Sequence, residues 1–113
     1  MDTEAAARRW ADVWSRAWPV HDVDAIAGLY ADSASYRALA FREPDLGRTG
    51  ARRYLEENFA IEANVECWFG PPLVSGERAA VEWWSSWIER DQELTLAGVT
   101  VLRFDGDGPY DGW

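Results

Sequence analysis

Residues 79–88 (AAVEWWSSWI) and 94–104 (LTLAGVTVLRF) are two apolar segments on either side of the polar stretch 89–93 (ERDQE). This pattern predicts a β-hairpin whose two strands are apolar on both faces. A strand that meets water on one side would instead alternate strictly between apolar and polar residues. We therefore expect both faces of the hairpin to be covered, one by the chain's own helices and the other by a second copy of the protein.

The tryptophan content indicates a pocket. Eight of the 113 residues are tryptophan, and three of these, Trp83, Trp84 and Trp87, lie in the first strand of the hairpin. Tryptophan is large, and its N–H group usually needs a hydrogen-bond partner when buried. So many indoles suit the walls of a cavity or an interface better than the tightly filled core of a small domain.

The length and the net charge limit which classes of protein this chain can belong to. A chain of 113 residues fits one domain, spanning residues 1–113, that can bury a real core. The net charge of −9 argues against nucleic-acid partners and against anionic membranes, both of which need a basic surface. With neither a signal-peptide pattern nor an apolar run of membrane length, we expect a cytoplasmic protein.

The sequence predicts neither a metal site nor a cofactor. Its one cysteine, Cys67, and one histidine, His21, are far apart, and no glycine-rich phosphate loop follows a strand. A catalytic thiolate at Cys67 would need a nearby base, so we favour a small buried hydrophobic residue at this position.

The order of predicted elements indicates an α+β fold. Pro19 ends the first helix, Asp22 caps the second and Thr49 caps the third. The predictions are helices over 4–17, from 22 to about 30 and over 50–60, and strands over 33–40 and 64–69, before the hairpin. Helices would then pack on one face of a curved sheet, and the space between them is where a ligand would bind.

Four phrases carry a resemblance to a known family: DVDAIAGLYADSASY at 22–36, FREP at 41–44 followed by Gly47, SGERAAVEW at 75–83, and LAGVTVLRFD at 96–105. Over about residues 5–107 the chain resembles the SnoaL-like branch of the nuclear transport factor 2-like superfamily. The resemblance implies a cone-shaped, curved antiparallel or mixed sheet with about three helices on its concave face. Members include polyketide cyclases, ketosteroid isomerases, epoxide hydrolases and dehydratases, and also non-enzymatic binding and assembly domains.

The end of the chain departs from the family pattern. Members usually continue after the Asp-Gly turn with a strand that helps wall the pocket, and SnoaL-type cyclases use an acid from the late strands. Here only residues 110–113 remain, so we expect the final strand to be short or missing. On this interpretation either the chain is truncated or the pocket is open on that side.

The turn of the hairpin predicts which side chains share a face. A two-residue loop at Arg90 and Asp91 places Trp83 opposite Gly98 and Trp87 opposite Leu94. The face that we assign to the pocket carries Val81, Trp83, Ser85, Trp87, Leu94, Leu96, Gly98 and Thr100. The convex face carries Trp84, Ile88, Ala97, Val99 and Val101, and many family members form homodimers through this face.

The ketosteroid isomerase mechanism fits the chain poorly. The resemblance to these isomerases puts Ala38 at the position of the catalytic base, Trp14 at that of the tyrosine donor, and Thr100 at that of the protonated acid. Trp14 and Thr100 can each donate a hydrogen bond, but alanine cannot move a proton. We therefore do not expect this reaction.

The candidate catalytic residues are Asp32, Tyr30 and His21, with a helix cap, a core position and a plain loop residue as the respective alternatives. The predicted pocket residues are Trp10, Trp14, Tyr30, Tyr36, Phe41, Trp83, Ser85, Trp87 and Thr100. We expect the pocket to bind an apolar small molecule, aromatic or polycyclic. An enzyme of this kind would be a cofactor-free isomerase, cyclase or hydrolase. The alternative is a non-catalytic homodimerisation or protein-interaction domain, which a tightly filled interior would favour.

Overall fold

Three helices and seven strands form the part of the chain that the computed structural model describes, which is residues 2–30, 35–36, 45–104 and 109–112. Side chains are described for residues 2–30 and 49–104. The helices are α1 (Thr3–Ala17), α2 (Val23–Ala27) and α3 (Gly47–Phe59). The strands are β1 (Ser35–Tyr36), β2 (Asp45–Leu46), β3 (Ala63–Phe69), β4 (Leu73–Ser75), β5 (Arg78–Glu89), β6 (Gln92–Phe104) and β7 (Pro109–Gly112).

Helix α1 spans Thr3–Ala17, one residue longer than the predicted 4–17. The Asp2 carboxylate accepts a hydrogen bond from the Ala5 N–H at 3.0 Å, which satisfies one of the free donors of the first turn. Pro19 has no N–H to continue the helix. The buried side chains form one stripe against the sheet, comprising Ala7, Trp10, Ala11, Trp14 and Ala17.

Helices α2 and α3 differ from their predicted bounds. Asp22 caps α2 by accepting the Ala25 N–H at 3.1 Å, as predicted, but α2 ends at Ala27. A turn bond from the Tyr30 N–H to the Ala27 carbonyl, at 3.1 Å, keeps Tyr30 in the core. The predicted start of α3 is wrong, because the pairing of β2 with β1 ends at Leu46 and the helix begins at the next residue. Thr49 therefore lies inside the first turn.

The sheet has the strand order β2-β1-β7-β6-β5-β3, with β4 also paired to β5. All the pairs are antiparallel except that of β1 with β7, so the sheet is mixed. The predicted α+β class is confirmed, with a short last strand, β7, lying between β6 and β1. Strand β4, which follows Pro71 and Pro72, was not predicted.

The predicted hairpin register is confirmed. Trp83 pairs with Gly98 and Trp87 with Leu94 across β5 and β6. The loop residues Arg90 and Asp91 have φ values of 52° and 63°, the left-handed backbone that a tight two-residue turn requires. The strands run further into the loop than predicted, because Glu89 pairs with Gln92.

The core lies between the helices and the face of the sheet that packs on α1, which we call the concave face. Its most enclosed side chains come from every layer: Trp10, Ile26, Tyr30, Leu55, Val81, Leu102 and Phe104. The opposite, convex face stays exposed in the single chain.

Candidate ligand-binding site

A cavity of about 300 Å³, partly open to solvent, lies between α1, the second half of α3 and strands β3, β5 and β6. This volume is at the lower end of the range for small-molecule sites. Its lining is mostly aromatic and aliphatic, with a few polar groups. It comprises Trp10, Trp14, Trp18, Tyr54, Leu55, Asn58, Phe59, Glu62, Phe69, Trp83, Trp87, Leu96, Ala97, Gly98, Val99 and Thr100.

One wall of the cavity consists of tryptophan side chains that pack in a row. Trp10, Trp14 and Trp18 follow each other at intervals of four residues, so they stack along one side of α1 and its exit. The ring centroids are 5.9 Å apart for Trp10 and Trp14 and 5.3 Å apart for Trp14 and Trp18. The sheet adds Phe69, 5.6 Å from Trp10, and Trp83, 5.8 Å from Trp18. These spacings are those of interacting aromatic pairs, so the wall is preorganised.

The Trp83 indole is fixed by its neighbours on β6. Gly98 lies directly opposite and in contact with the indole, since a β-carbon on Gly98 would sit 3.4 Å from Cζ2 of Trp83. The indole Nε1 then donates a hydrogen bond to Oγ1 of Thr100 at 2.9 Å. The Trp83 N–H and the Thr100 hydroxyl therefore bind each other, and the Trp83 ring contributes its apolar surface to the cavity.

The polar end of the cavity is acidic. Glu62, between α3 and β3, accepts a hydrogen bond at Oε1 from Nε1 of Trp18 at 2.9 Å. Burial raises the pKa of Glu62, the Trp18 hydrogen bond lowers it in part, and the charge of Glu89 raises it further. Glu89 itself accepts from Nε1 of Trp87 at 3.3 Å. Glu62 is the carboxylate among the described residues that line the cavity.

The predicted pocket residues divide into three groups. Trp10, Trp14, Trp83, Trp87 and Thr100 line the cavity. The other described side chains, Tyr30 and Ser85, do not line it, and Phe41 together with the side chain of Tyr36 lies outside the described residues.

Tyr30 and Ser85 are displaced from the predicted site because they belong to the core. Tyr30 is 1% exposed, and its hydroxyl accepts the Trp10 N–H at 3.3 Å from behind the aromatic wall. Ser85 is fully buried, and its hydroxyl has no hydrogen-bond partner among the described residues. The alternation of the strand puts Ser85 on the same face as Trp83 and Trp87, but it is enclosed in the core and does not line the cavity.

The predicted catalytic residues are not assembled in the described part of the chain. His21 stacks on Phe59 with ring centroids 4.8 Å apart, and Phe59, not His21, lines the cavity. Burial raises the pKa of Tyr30 to about 12, so its hydroxyl is a poor acid at neutral pH. Asp32 lies outside the described residues, as does the Ala38 position, so a catalytic role for Asp32 stays a prediction.

The lining also contains residues that were not predicted for the pocket, among them Trp18, Tyr54, Phe59, Glu62 and Phe69. Trp18 could have been found, because it continues the stripe of the first helix one turn past Trp14. Glu62 is a single acidic residue in a short connection, and no local pattern marks it.

The described residues also bear on metal binding, thiol chemistry and membrane insertion. In that part of the chain, no three His, Cys, Asp or Glu side chains gather as a metal site would require. Burial raises the pKa of the Cys67 thiol to about 11, which keeps it protonated at neutral pH. None of the described helices combines the length and the apolarity that crossing a membrane would require.

The chain matches a known family of domains. The model of the SnoaL-like domain family matches residues 7–109. No curated protein matches the chain significantly.

Solved structures share the fold. A protein with a ketosteroid isomerase-like fold from Catenulispora acidiphila, in complex with trimethylamine, has a TM-score of 0.80 at 18% identity, covering 91% of this chain and 81% of that one. PrhC from Penicillium brasilianum has a TM-score of 0.79 at 18% identity, covering 99% and 80%. An LEH-like epoxide hydrolase from M. tuberculosis has a TM-score of 0.78 at 15% identity, covering 96% and 80%. These likenesses confirm the fold expected from the sequence resemblance.

Proposed function

Because the chain belongs to the SnoaL-like domain family, we propose that it is a small-molecule-binding protein whose ligand occupies the aromatic-lined cavity. The observation that carries this proposal is the unfilled volume of about 300 Å³ inside a wall of indoles. A domain that used its tryptophans for core packing alone would have filled that space, since protein interiors are close-packed.

The size and lining of the cavity favour a compact, flat ligand. Its volume is at the small end of the range for ligand sites, about 300–1,000 Å³, so a body of one or two rings fits better than a larger polycycle. Trp14, Trp83 and Trp87 offer aromatic surface for stacking. The trimethylamine bound to the Catenulispora relative is a reason to include amines among the compounds tested.

Proton-transfer chemistry without a cofactor would depend on Glu62. A carboxylate whose pKa is raised by burial is suited to general acid–base catalysis. Tyr30 and His21 do not line the cavity, so Glu62 replaces them as the residue on which an isomerase, cyclase or hydrolase activity would rest.

We also propose that two copies associate through the convex face. Trp68, Trp84, Val99 and Val101 are between 41% and 56% exposed on this face. Trp68 pairs with Trp84 across β3 and β5, so the two residues are neighbours on the sheet. A contiguous exposed apolar patch of this kind is typical of a protein interface.

Intrinsic fluorescence tests ligand binding. A panel of substituted benzenes, bicyclic aromatics and organic amines is titrated into the protein while tryptophan emission is followed. We expect saturable quenching that is lost in Trp83→Ala and kept in Trp84→Ala. The two variants change adjacent residues of β5 that lie on opposite faces of the sheet, and circular dichroism checks that both fold.

A flat response across the whole panel would contradict the proposal. Together with a dimer seen by light scattering, that result would favour the non-catalytic interaction domain, in which the indoles serve packing and assembly.

A further inference from the structure

The charge at one end of the cavity is unusual for an apolar site. Glu62 lies in the lining, and its Oε1 atom holds the Trp18 indole at 2.9 Å. The Glu89 carboxylate is near enough to disfavour ionisation of Glu62, and it holds the Trp87 indole at 3.3 Å. The indole N–H groups of Trp18 and Trp87 therefore each donate a hydrogen bond to a carboxylate, and the two rings are available to contact a ligand.

No positive side chain balances this charge within the described structure. The described residues that line the cavity include neither arginine nor histidine, and none of the described arginines forms an ion pair with Glu62. The cations of the three ion pairs seen, Arg8, Arg16 and Arg52, bind acidic residues on α1 and α2.

This arrangement discriminates between ligands by charge. A neutral apolar ligand would remove Glu62 further from water without giving it a partner, which is unfavourable for an ionised group. An anion would be repelled. A cation would compensate Glu62, and it would also be attracted to the faces of the indoles, which bind cations within about 6 Å of the ring centroid. The Trp18 and Trp83 rings, 5.8 Å apart and inclined at 67°, can contact one such group together.

We propose that the ligand of this cavity is an organic cation: a compact aromatic or aliphatic body carrying a tertiary or quaternary ammonium group. The ammonium lies between Glu62 and the rings of Trp18 and Trp83. This inference rests on the proposed function, because it names the class of ligand for the same cavity.

A matched pair of ligands isolates the charge. (4-Hydroxyphenyl)trimethylammonium and 4-tert-butylphenol have the same shape and differ in the charged atom, and calorimetry at pH 7 measures both affinities. We expect the ammonium to bind about tenfold more tightly, from the combined ion-pair and cation–π attraction. In Glu62→Gln this preference should fall to about twofold or less, because the ammonium loses its ion pair and the phenol no longer removes a charge from water.

Glu66→Gln is the control variant, because Glu66 is an exposed glutamate of β3 that does not line the cavity. It should keep the full preference. Salt provides a second measurement on the unmodified protein, in which high ionic strength should weaken binding of the ammonium and leave the phenol unaffected.

The outcomes separate the two proposals. Equal affinities for the two compounds, binding of the phenol alone, or a preference that survives Glu62→Gln would overturn the cation inference while leaving a ligand-binding cavity in place. If neither these compounds nor any member of the fluorescence panel binds, the proposed function falls as well.

Discussion

Glu62 should reduce the stability of the ligand-free protein. Burial raises its pKa above the ordinary value, so the folded state holds the proton more tightly than the unfolded state does. Its contribution to stability is therefore largest below the ordinary pKa and is lost as the pH rises through the raised one. At pH 7 we expect Glu62→Gln to increase the free energy of unfolding by about 0.5 kcal/mol or less, since the half-exposed carboxylate is screened by water.

Thermal melts at two pH values check this prediction. Glu62→Gln should melt higher than the unmodified protein at pH 7 and at the same temperature at about pH 3.5, where the carboxyl is protonated in both states. A variant that melts lower at pH 7 would mean that Glu62 has a cationic partner in the folded chain, which would also count against an ammonium ligand.

Tyr30 should contribute to stability through its hydroxyl. Tyr30→Phe removes the acceptor of the Trp10 N–H, which lies in the core, and an unpaired buried donor costs about 1–3 kcal/mol. We expect a loss of stability in this range by urea denaturation at pH 7. An unchanged midpoint would show that the Trp10 indole finds another acceptor.

The pKa of Tyr30 makes a second, independent prediction. Burial raises this pKa from 10.0 to about 12, so between these values the unfolded chain releases the proton while the folded chain keeps it. The stabilising contribution is thus complete below pH 10.0 and is lost as the pH rises towards about 12. Over this pH interval the free energy of unfolding should fall more steeply for the unmodified protein than for Tyr30→Phe. An equal pH dependence in the two proteins would contradict the raised pKa of Tyr30.

The site could be predicted in part, residue by residue. Trp83, Trp87 and Thr100 could be assigned to the correct face because side chains alternate along a strand once the register is known. Ser85 shows the limit of that argument, since it shares the face of Trp83 and Trp87 and yet does not line the cavity. Glu62 could not be predicted, because its position depends on how α3 and β3 come together, which no local pattern encodes.

At the level of elements, substitutions in the hairpin turn should stabilise the protein. Arg90 and Asp91 both adopt positive φ, a conformation that costs energy in residues with a β-carbon. Replacing them by Asn-Gly, the pair preferred in such turns, should increase the free energy of unfolding by about 0.5–1 kcal/mol. The reversed order, Gly-Asn, is the matched control and should help less. Urea denaturation compares the three proteins, and a loss of stability with Asn-Gly would show that the Arg90 or Asp91 side chain makes a contact that outweighs the backbone cost.

The same elements show why some boundaries were predicted and others were not. Capping by Asp2 and Asp22 is a local interaction, so the starts of α1 and α2 follow from the sequence. The start of α3 follows from strand pairing at Leu46, a contact between segments, and that pairing overrides the capping preference of Thr49. Strand β4 has three exposed residues and forms by pairing with β5, so periodicity gave no signal for it.

At the level of the whole molecule, a mutation on the convex face of the sheet should disrupt the proposed dimer without affecting the cavity. Trp84→Glu places a charge in the exposed apolar patch of the convex face, and burying that unpaired charge in an interface would be unfavourable. We expect sedimentation to show a dimer for the unmodified protein and a monomer for Trp84→Glu. Val20→Glu, at a residue that is 73% exposed after α1, is the control and should stay dimeric.

The monomeric variant also tests whether the cavity works alone. All the described lining residues belong to one chain, and of these only Ala97 and Val99 of β6 are shared with the convex face. Trp84→Glu should therefore bind ligands with unchanged affinity while it sediments as a monomer. Loss of binding together with the dimer would mean that the second copy helps to shape the cavity, and a monomeric unmodified protein would overturn the proposed assembly while leaving the ligand site to be judged by its own titration.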